Sequence, residues 1–324
     1  MRFHKVFKKK YFPKKNLTIV ISILAFIILF NSSLGLDINQ VISIFKLIDF
    51  SYFFLSILFF FLSNYFSSIK FYLVCNLSFN DKVNSRKFVH INLASLFLAY
   101  FFPYGPTGDI YRIYYINQNL RLTFSNTLML CVSDRICSVY LTFVTGILTL
   151  IVYLYISKNT YLLVEQMIWW ISGITLMFSL LNKKIYKCFY LIKKFKIFKF
   201  FLKTRYFLLQ CFKNISVFIS GIFQVLLFSI ALFFAAKAIF AESSFLVWLL
   251  FGPLTLIVQA TPMFFTGWGA REVLLITLTK LNFFMIDNNT MLTISIVIGL
   301  GSILASLPGF FSLLFLNKFK VLRY

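Results

Sequence analysis

The chain of 324 residues is 60% hydrophobic and only 13% charged, with a mean hydropathy of +0.87. So few polar residues cannot cover a soluble globule, which excludes that class and leaves an all-α polytopic membrane protein. The net charge of +23 would suggest nucleic acid in a soluble domain; on membrane loops it faces anionic lipid instead, and no nucleic-acid partner is expected.

A basic head, residues 1–16, carries seven Lys or Arg and precedes the apolar run Leu17–Phe30. The same layout describes a signal peptide, with Ser33-Leu34-Gly35 as a cleavage-like triplet. The expectation is a retained first span, because the repeat described below needs it. Further apolar runs cover 48–69, 88–102, 122–156, 161–181, 214–236, 245–265 and 289–316, which makes about eight hydrophobic segments. The 45 Phe residues are read mostly as lipid-facing bulk.

Four regions hold 24 of the 32 Lys and Arg: the head, residues 70–87, residues 183–213 and the tail after Asn317. The positive-inside rule places all four, and both termini, on the cytoplasmic side of a bacterial inner membrane. Three apolar segments separate residues 70–87 from 183–213, an odd number, so one of them must enter and leave on the same side. The candidate is 88–120: Val89–Phe102 runs in, and a second arm returns to Arg121. The same count makes 245–285 a second re-entrant hairpin. The arms of the first, 88–102 and 109–119, would rise ~22 Å and ~16 Å, short of the ~30 Å hydrocarbon core.

The fold expected is therefore an inverted repeat of span, span, re-entrant hairpin, span: about six full spans plus two hairpins. Repeat 1 covers 17–156 and repeat 2 covers 161–316, within one integral membrane domain over 1–324. Residues 183–213 form a basic amphipathic loop on the inner leaflet. Inverted repeats with broken helices meeting near the midplane belong to secondary transporters.

The break in the first hairpin is Pro103-Tyr104-Gly105-Pro106-Thr107-Gly108-Asp109-Ile110-Tyr111-Arg112, and it has a twin. Pro262, Thr266, Gly267 and Arg271 repeat the spacing of Pro103, Thr107, Gly108 and Arg112, each 159 positions further on. Such clusters of Pro and Gly, with Gly269 in the second, cannot continue a regular helix. Irregular backbone at membrane depth is tolerated only beside protein or water.

Arg112 and Arg271 follow the breaks, where a half-helix N-terminus favours an anion and a guanidinium offers a fork suited to phosphate. Two such elements entering from opposite faces would converge on one anionic site. The alternative is that each Arg pairs with a local acid or snorkels to an interface. Asp109 caps its half-helix, holds Arg112 or relays a proton; Glu272 falls in the first turn of its half-helix. Asp134-Arg135 lies inside an apolar run, where charge needs a partner: Asp134 faces Arg112 or Arg271, or forms a purely structural pair. Tyr111, Trp268, Asn92 and Gln259 are candidate polar or aromatic lining. Cys75, Cys131, Cys137, Cys188 and Cys211 are odd in number and scattered, and only His4 and His90 accompany them. No metal or other cofactor is expected. Nothing matches a phosphate loop, a dinucleotide fingerprint, a zinc motif or a Ser/His/Asp set.

Pro103…Gly108-Asp109-x-x-Arg112, then Asp134-Arg135, then Pro262…Gly267-x-Gly269-x-Arg271-Glu272 resemble the lysylphosphatidylglycerol synthase transmembrane family, a group of flippase-like membrane proteins. The resemblance covers about residues 15–318. Asp134 stands where that family more often carries Glu, which keeps the charge. For full synthases the resemblance implies lysine transfer to phosphatidylglycerol by a soluble domain, then translocation by the membrane part. With no such domain before Tyr324, only the second activity is expected here, and a transporter rather than an enzyme. The implied substrate is an anionic phospholipid or a polyprenyl-phosphate-linked lipid, held by Arg112 and Arg271 with Asp109, Asp134, Arg135 and Glu272 as gating partners. Two other readings stand beside it. One is a membrane-embedded transferase acting on a lipid phosphate. The other is a non-catalytic membrane partner of a separately encoded synthase or glycosyltransferase.

Overall fold

The computed structural model describes residues 38–78, 84–102, 107–120, 123–157, 208–260, 268–280 and 286–321, with a few isolated positions besides. The expected spans at 17–30 and 161–181, most of the basic loop 183–213, and Pro103, Gly105, Pro106, Pro262 and Gly267 lie outside the described residues. Within them the regular structure is all helix: α1 (Ile38–Lys46), α2 (Phe50–Ser78), α3 (Ser85–Phe101), α4 (Thr107–Leu120), α5 (Phe124–Ser157), α6 (Ile215–Lys237), α7 (Phe245–Ala260), α8 (Ala270–Lys280), α9 (Asn288–Ser306) and α10 (Pro308–Val321).

Among the described residues four stretches are long and apolar enough to cross a membrane: α2, α5, α6, and α9 continued into α10 over Asn288–Leu316. Pro308 opens α10, where its missing N–H is no loss, so the last span continues past it. The helices between them are shorter. α3, α4, α7 and α8 have 17, 14, 16 and 11 residues. At 1.5 Å per residue that is about 16–26 Å, too little to cross a ~30 Å core alone. They pack as two hairpins. Thr107 Oγ1 donates to Leu98 O (3.2 Å), and Arg112 Nε reaches back to Ser95 Oγ (2.7 Å), so α4 runs antiparallel along α3. After α8, Phe283 meets Phe251 edge-on (ring centroids 4.9 Å apart) and Phe284 packs tilted against Trp248 (4.7 Å), beside the start of α7. The second hairpin leaves where it entered.

The halves mirror each other in packing. α2 meets α3 as α6 meets α7; α3 pairs with α4 as α7 pairs with α8; α4 meets α5 as α8 meets α9. α5 crosses to α7, and α9 with α10 crosses to α3. The counterparts α2 and α6 run antiparallel: Ser56 Oγ donates to Ala231 O (3.0 Å) and Ser63 Oγ to Gln224 O (2.8 Å), so advance along one is retreat along the other. That is the relation an inverted pair must have. Stacked Phe59–Phe234 and Phe66–Phe223 fill this seam, while Phe50, Phe54 and Phe311 face outward. Phenylalanine is thus both lipid-facing bulk and interhelical packing.

Three features depart from the sequence reading. Lys70 does not open the basic loop: α2 continues to Ser78 and buries Lys70 to 1% exposure. A charge interrupts the apolar run there, yet not the helix, because polar partners meet it from α5 and α6. α1 was not expected; its Val41 packs with Ile276 and Leu292, and its Gln40 accepts from Asn289 Nδ2 at 2.6 Å. Its outward Ile42 and Phe45 suit an interfacial helix. The cysteines are scattered only in sequence, since Cys75, Cys131, Cys137 and Cys211 share one buried apolar cluster.

Gly108 sets the close approach of α4 to α3: an added Cβ would lie 2.5 Å from Ser95 O, a backbone atom that cannot yield. Gly108→Ala should destabilise the protein by about 1–3 kcal/mol through this overpacking. It is checked by thermal unfolding in detergent, and an unchanged Tm would contradict the packing.

Candidate functional site

Arg112 lies in the second turn of α4 and is 4% exposed. Its Nε donates to Ser95 Oγ on α3 (2.7 Å), its Nη1 stands 3.3 Å from Asp134 Oδ2 on α5, and its guanidinium lies 4.9 Å from the centroid of the Phe71 ring on α2. Lys70, also on α2, approaches Asp134 Oδ1 at 3.7 Å and donates to Gln224 Oε1 on α6 (3.1 Å) and to Ser138 Oγ on α5. Asp109 takes Arg135 on both oxygens, at 3.1 and 3.0 Å, and lies 3.6 Å from Arg112. Asp134 therefore faces Arg112, and Asp109 pairs with Arg135 as well as Arg112. Three cations and two carboxylates share the cluster.

Arg271 is held differently. It opens α8 and is 1% exposed; its Nη2 donates to the neighbouring Glu272 Oε1 (2.8 Å) and its Nε to Ser295 Oγ on α9 (2.8 Å). Glu272 is itself fully buried. Its Oε2 accepts the Gly269 N–H at 2.5 Å and its Oε1 accepts from Ser295 Oγ. With Val273 N bonded to Gly269 O, Gly269 is the N-cap and Glu272 the third helical residue, whose carboxylate caps the helix start. Gly269 adopts φ 90°, a left-handed conformation that side chains resist. Trp268 lies over Arg271 at 5.2 Å, and Gly299 on α9 leaves room for both: a Cβ there would meet Trp268 at 2.5 Å and Arg271 Nη2 at 2.9 Å.

The two arginines occupy separate partner sets instead of one pooled site: Arg271 is matched by Glu272 alone, whereas Arg112 shares Asp134 with Lys70. α3 links them. Ser95 binds Arg112, and α3 packs on α9, which carries Ser295, the partner of Arg271; Tyr100 lies five residues beyond Ser95. That offset is about 7.5 Å along the helix. Depth agrees. Lys70, Arg112, Asp134 and Gln224 each lie eight to ten residues from the helix end nearest the basic segments, or about 12–15 Å. Arg271 and Ser295 lie nine and seven residues from the opposite ends of α8 and α9, or about 10–14 Å. Each cluster therefore lies about two to three helical turns in from those helix ends.

Lys70, Ser95, Gln224, Ser295 and Gly299 escaped the sequence reading. Only Lys70 left a signal there, a lone cation in a stretch otherwise fit to extend the span. Polar atoms on the same elements stay unpaired: Asn92 Oδ1 on α3, Tyr111 OH on α4, and Ser133 Oγ and Asp134 Oδ1 on α5 are buried with no hydrogen-bond partner. Gln259 Nε2, at the end of α7, is a further one. Among the described residues, no group of three His, Cys, Asp or Glu could hold a metal ion.

The pairing predicts an order of cost. Asp134→Ala strands two buried cations and should destabilise by about 3–5 kcal/mol. Asp109→Ala, whose closest partner Arg135 is 47% exposed, should cost under about 1 kcal/mol. Unfolding of the two variants in the same detergent checks the order; equal losses would contradict it.

The lysylphosphatidylglycerol synthase TM region family model matches residues 17–310, so the chain belongs to that family. No curated protein and no solved structure matches it.

Proposed function

We propose that this member of the lysylphosphatidylglycerol synthase TM-region family moves an anionic phospholipid or lipid-linked intermediate between the leaflets of a bacterial inner membrane, with both termini cytoplasmic. One observation carries the reading. Lys70 and Arg112, both buried, share one buried carboxylate, Asp134, just after a helix break, while the more exposed Asp109 is taken on both oxygens by Arg135. An excess cation in a low-dielectric interior is costly until an anion joins it. An anionic headgroup would supply that charge, and a neutral one would gain nothing from it.

The two arginines then act as successive holds. The headgroup phosphate meets Arg112 of the first hairpin with Lys70 beside it, then Arg271 of the second hairpin, while the acyl chains stay in lipid. Glu272 neutralises Arg271 between passages, and Asp134 neutralises Arg112. The unpaired polar atoms of Asn92, Tyr111 and Ser133 offer the headgroup hydrogen bonds on its way.

Liposomes holding the purified protein, with labelled phosphatidylglycerol and a labelled neutral lipid, test this. Loss of outer-leaflet protection should accelerate for the anionic lipid alone. Arg112→Ala should slow it at least about tenfold without lowering expression, because Lys70 keeps Asp134 compensated. Equal rates for wild type and variant would sink the assignment of Arg112. A protein that instead forms covalent product from a donor and a lipid phosphate would be a transferase.

A further inference from the structure

We infer that the Asp134 carboxylate is a resident anion occupying a phosphate site, and that Lys70 is the second cation of that site beside Arg112. The lipid identity of the ligand rests on the translocation reading; the site rests on geometry alone.

The two cations bracket one carboxylate. Arg112 Nη1 lies 3.3 Å from Oδ2 and Lys70 Nζ 3.7 Å from Oδ1. The second distance is beyond hydrogen-bond range, and Oδ1, buried, has no hydrogen-bond partner at all. A flat anion with two oxygens thus spans its cations imperfectly. A tetrahedral phosphate, with more oxygens in more directions, can engage both.

Each cation has an anchor outside α5, the helix of the carboxylate. Arg112 is tied through Nε to Ser95 on α3 and lies over Phe71 on α2. Lys70 is tied to Gln224 on α6, and also to Ser138, one turn along α5 from Asp134. Turning the Asp134 side chain away therefore leaves Arg112 on Ser95 and Lys70 on Gln224. Among the described residues nothing comparable surrounds Arg271, whose carboxylate partner is its own chain neighbour and caps the same helix.

The ligand class follows: an anion with phosphate chemistry, whether a lipid headgroup or a free phosphate ester. Its apparent affinity is reduced by the fraction of time that Asp134 fills the site. Removing the acid should therefore tighten binding. A merely structural ion pair predicts no such gain.

The test uses full-length protein in uncharged detergent at constant ionic strength. The probes are inorganic phosphate, dihexanoylphosphatidylglycerol and, as a phosphate-free control, dihexanoylglycerol. Asp134→Asn should melt below wild type in chloride and recover in phosphate. It should bind the phosphate probes about tenfold more tightly than wild type, and Lys70→Met about tenfold more weakly. Dihexanoylglycerol should distinguish none of the three proteins. Tightening for inorganic phosphate alone would uphold the site and detach it from lipid translocation. Tightening for the lipid as well would join the two. Unchanged or weaker anion binding by Asp134→Asn, or recovery no better in phosphate than in chloride, would overturn the inference. Should Asp134→Asn fail to fold, Lys70→Met still decides: Asp134 keeps Arg112 there, and wild-type anion affinity would remove Lys70 from the site.

Discussion

Charge buried at membrane depth must be answered by charge, and this constraint organises the middle of the molecule. Lys70 and Arg112 are tolerable inside an apolar bundle because Asp134 stands between them. That single carboxylate joins α2, α4 and α5, and through Lys70 and Gln224 it joins α6. The hairpin of α3 and α4 could not turn back at its depth without Arg112 finding Ser95 and Asp134 there. Apolar packing supplies the α2–α6 seam and the surrounding core. The polar contacts select which face of each helix turns inward.

The halves share an architecture and differ in how they neutralise their arginines. Arg112 depends on an acid from another helix, Arg271 on the next residue in its own. Glu272 also caps α8 through Gly269, so releasing it would loosen the helix start as well as uncover a charge. Asp134 carries no such duty in α5, where it sits well past the first turn. On the proposed reading, the first hairpin is thus the one whose acid can yield to an outside anion without loosening a helix start.

Much of this was legible in the chain. Clusters of proline and glycine around Gly108 and Gly269 marked the hairpins. The placement of Lys and Arg required two segments to return to their own side, and α3–α4 and α7–α8 are too short to cross alone. Other features needed three dimensions. Lys70 looked like the first residue of a loop because hydropathy cannot see Gln224 and Ser138 waiting on other helices. Gly252-Pro253 has the look of a helix break, yet α7 runs through it. There the glycine lets α7 approach α6, since a Cβ would lie 2.0 Å from Ser229 Oγ. Which arginine Asp134 serves was open for the same reason: by sequence it is compatible with Arg112 and with Arg271.

The central claim is that the buried cations beside the first break hold an anionic lipid. Native mass spectrometry of protein taken from bilayers of mixed anionic and neutral phospholipid reads that occupancy directly. The account predicts an anionic lipid retained on wild type and lost from Arg112→Ala, with neutral lipid retained equally by both. Anionic lipid bound to the same extent in the two proteins would contradict it.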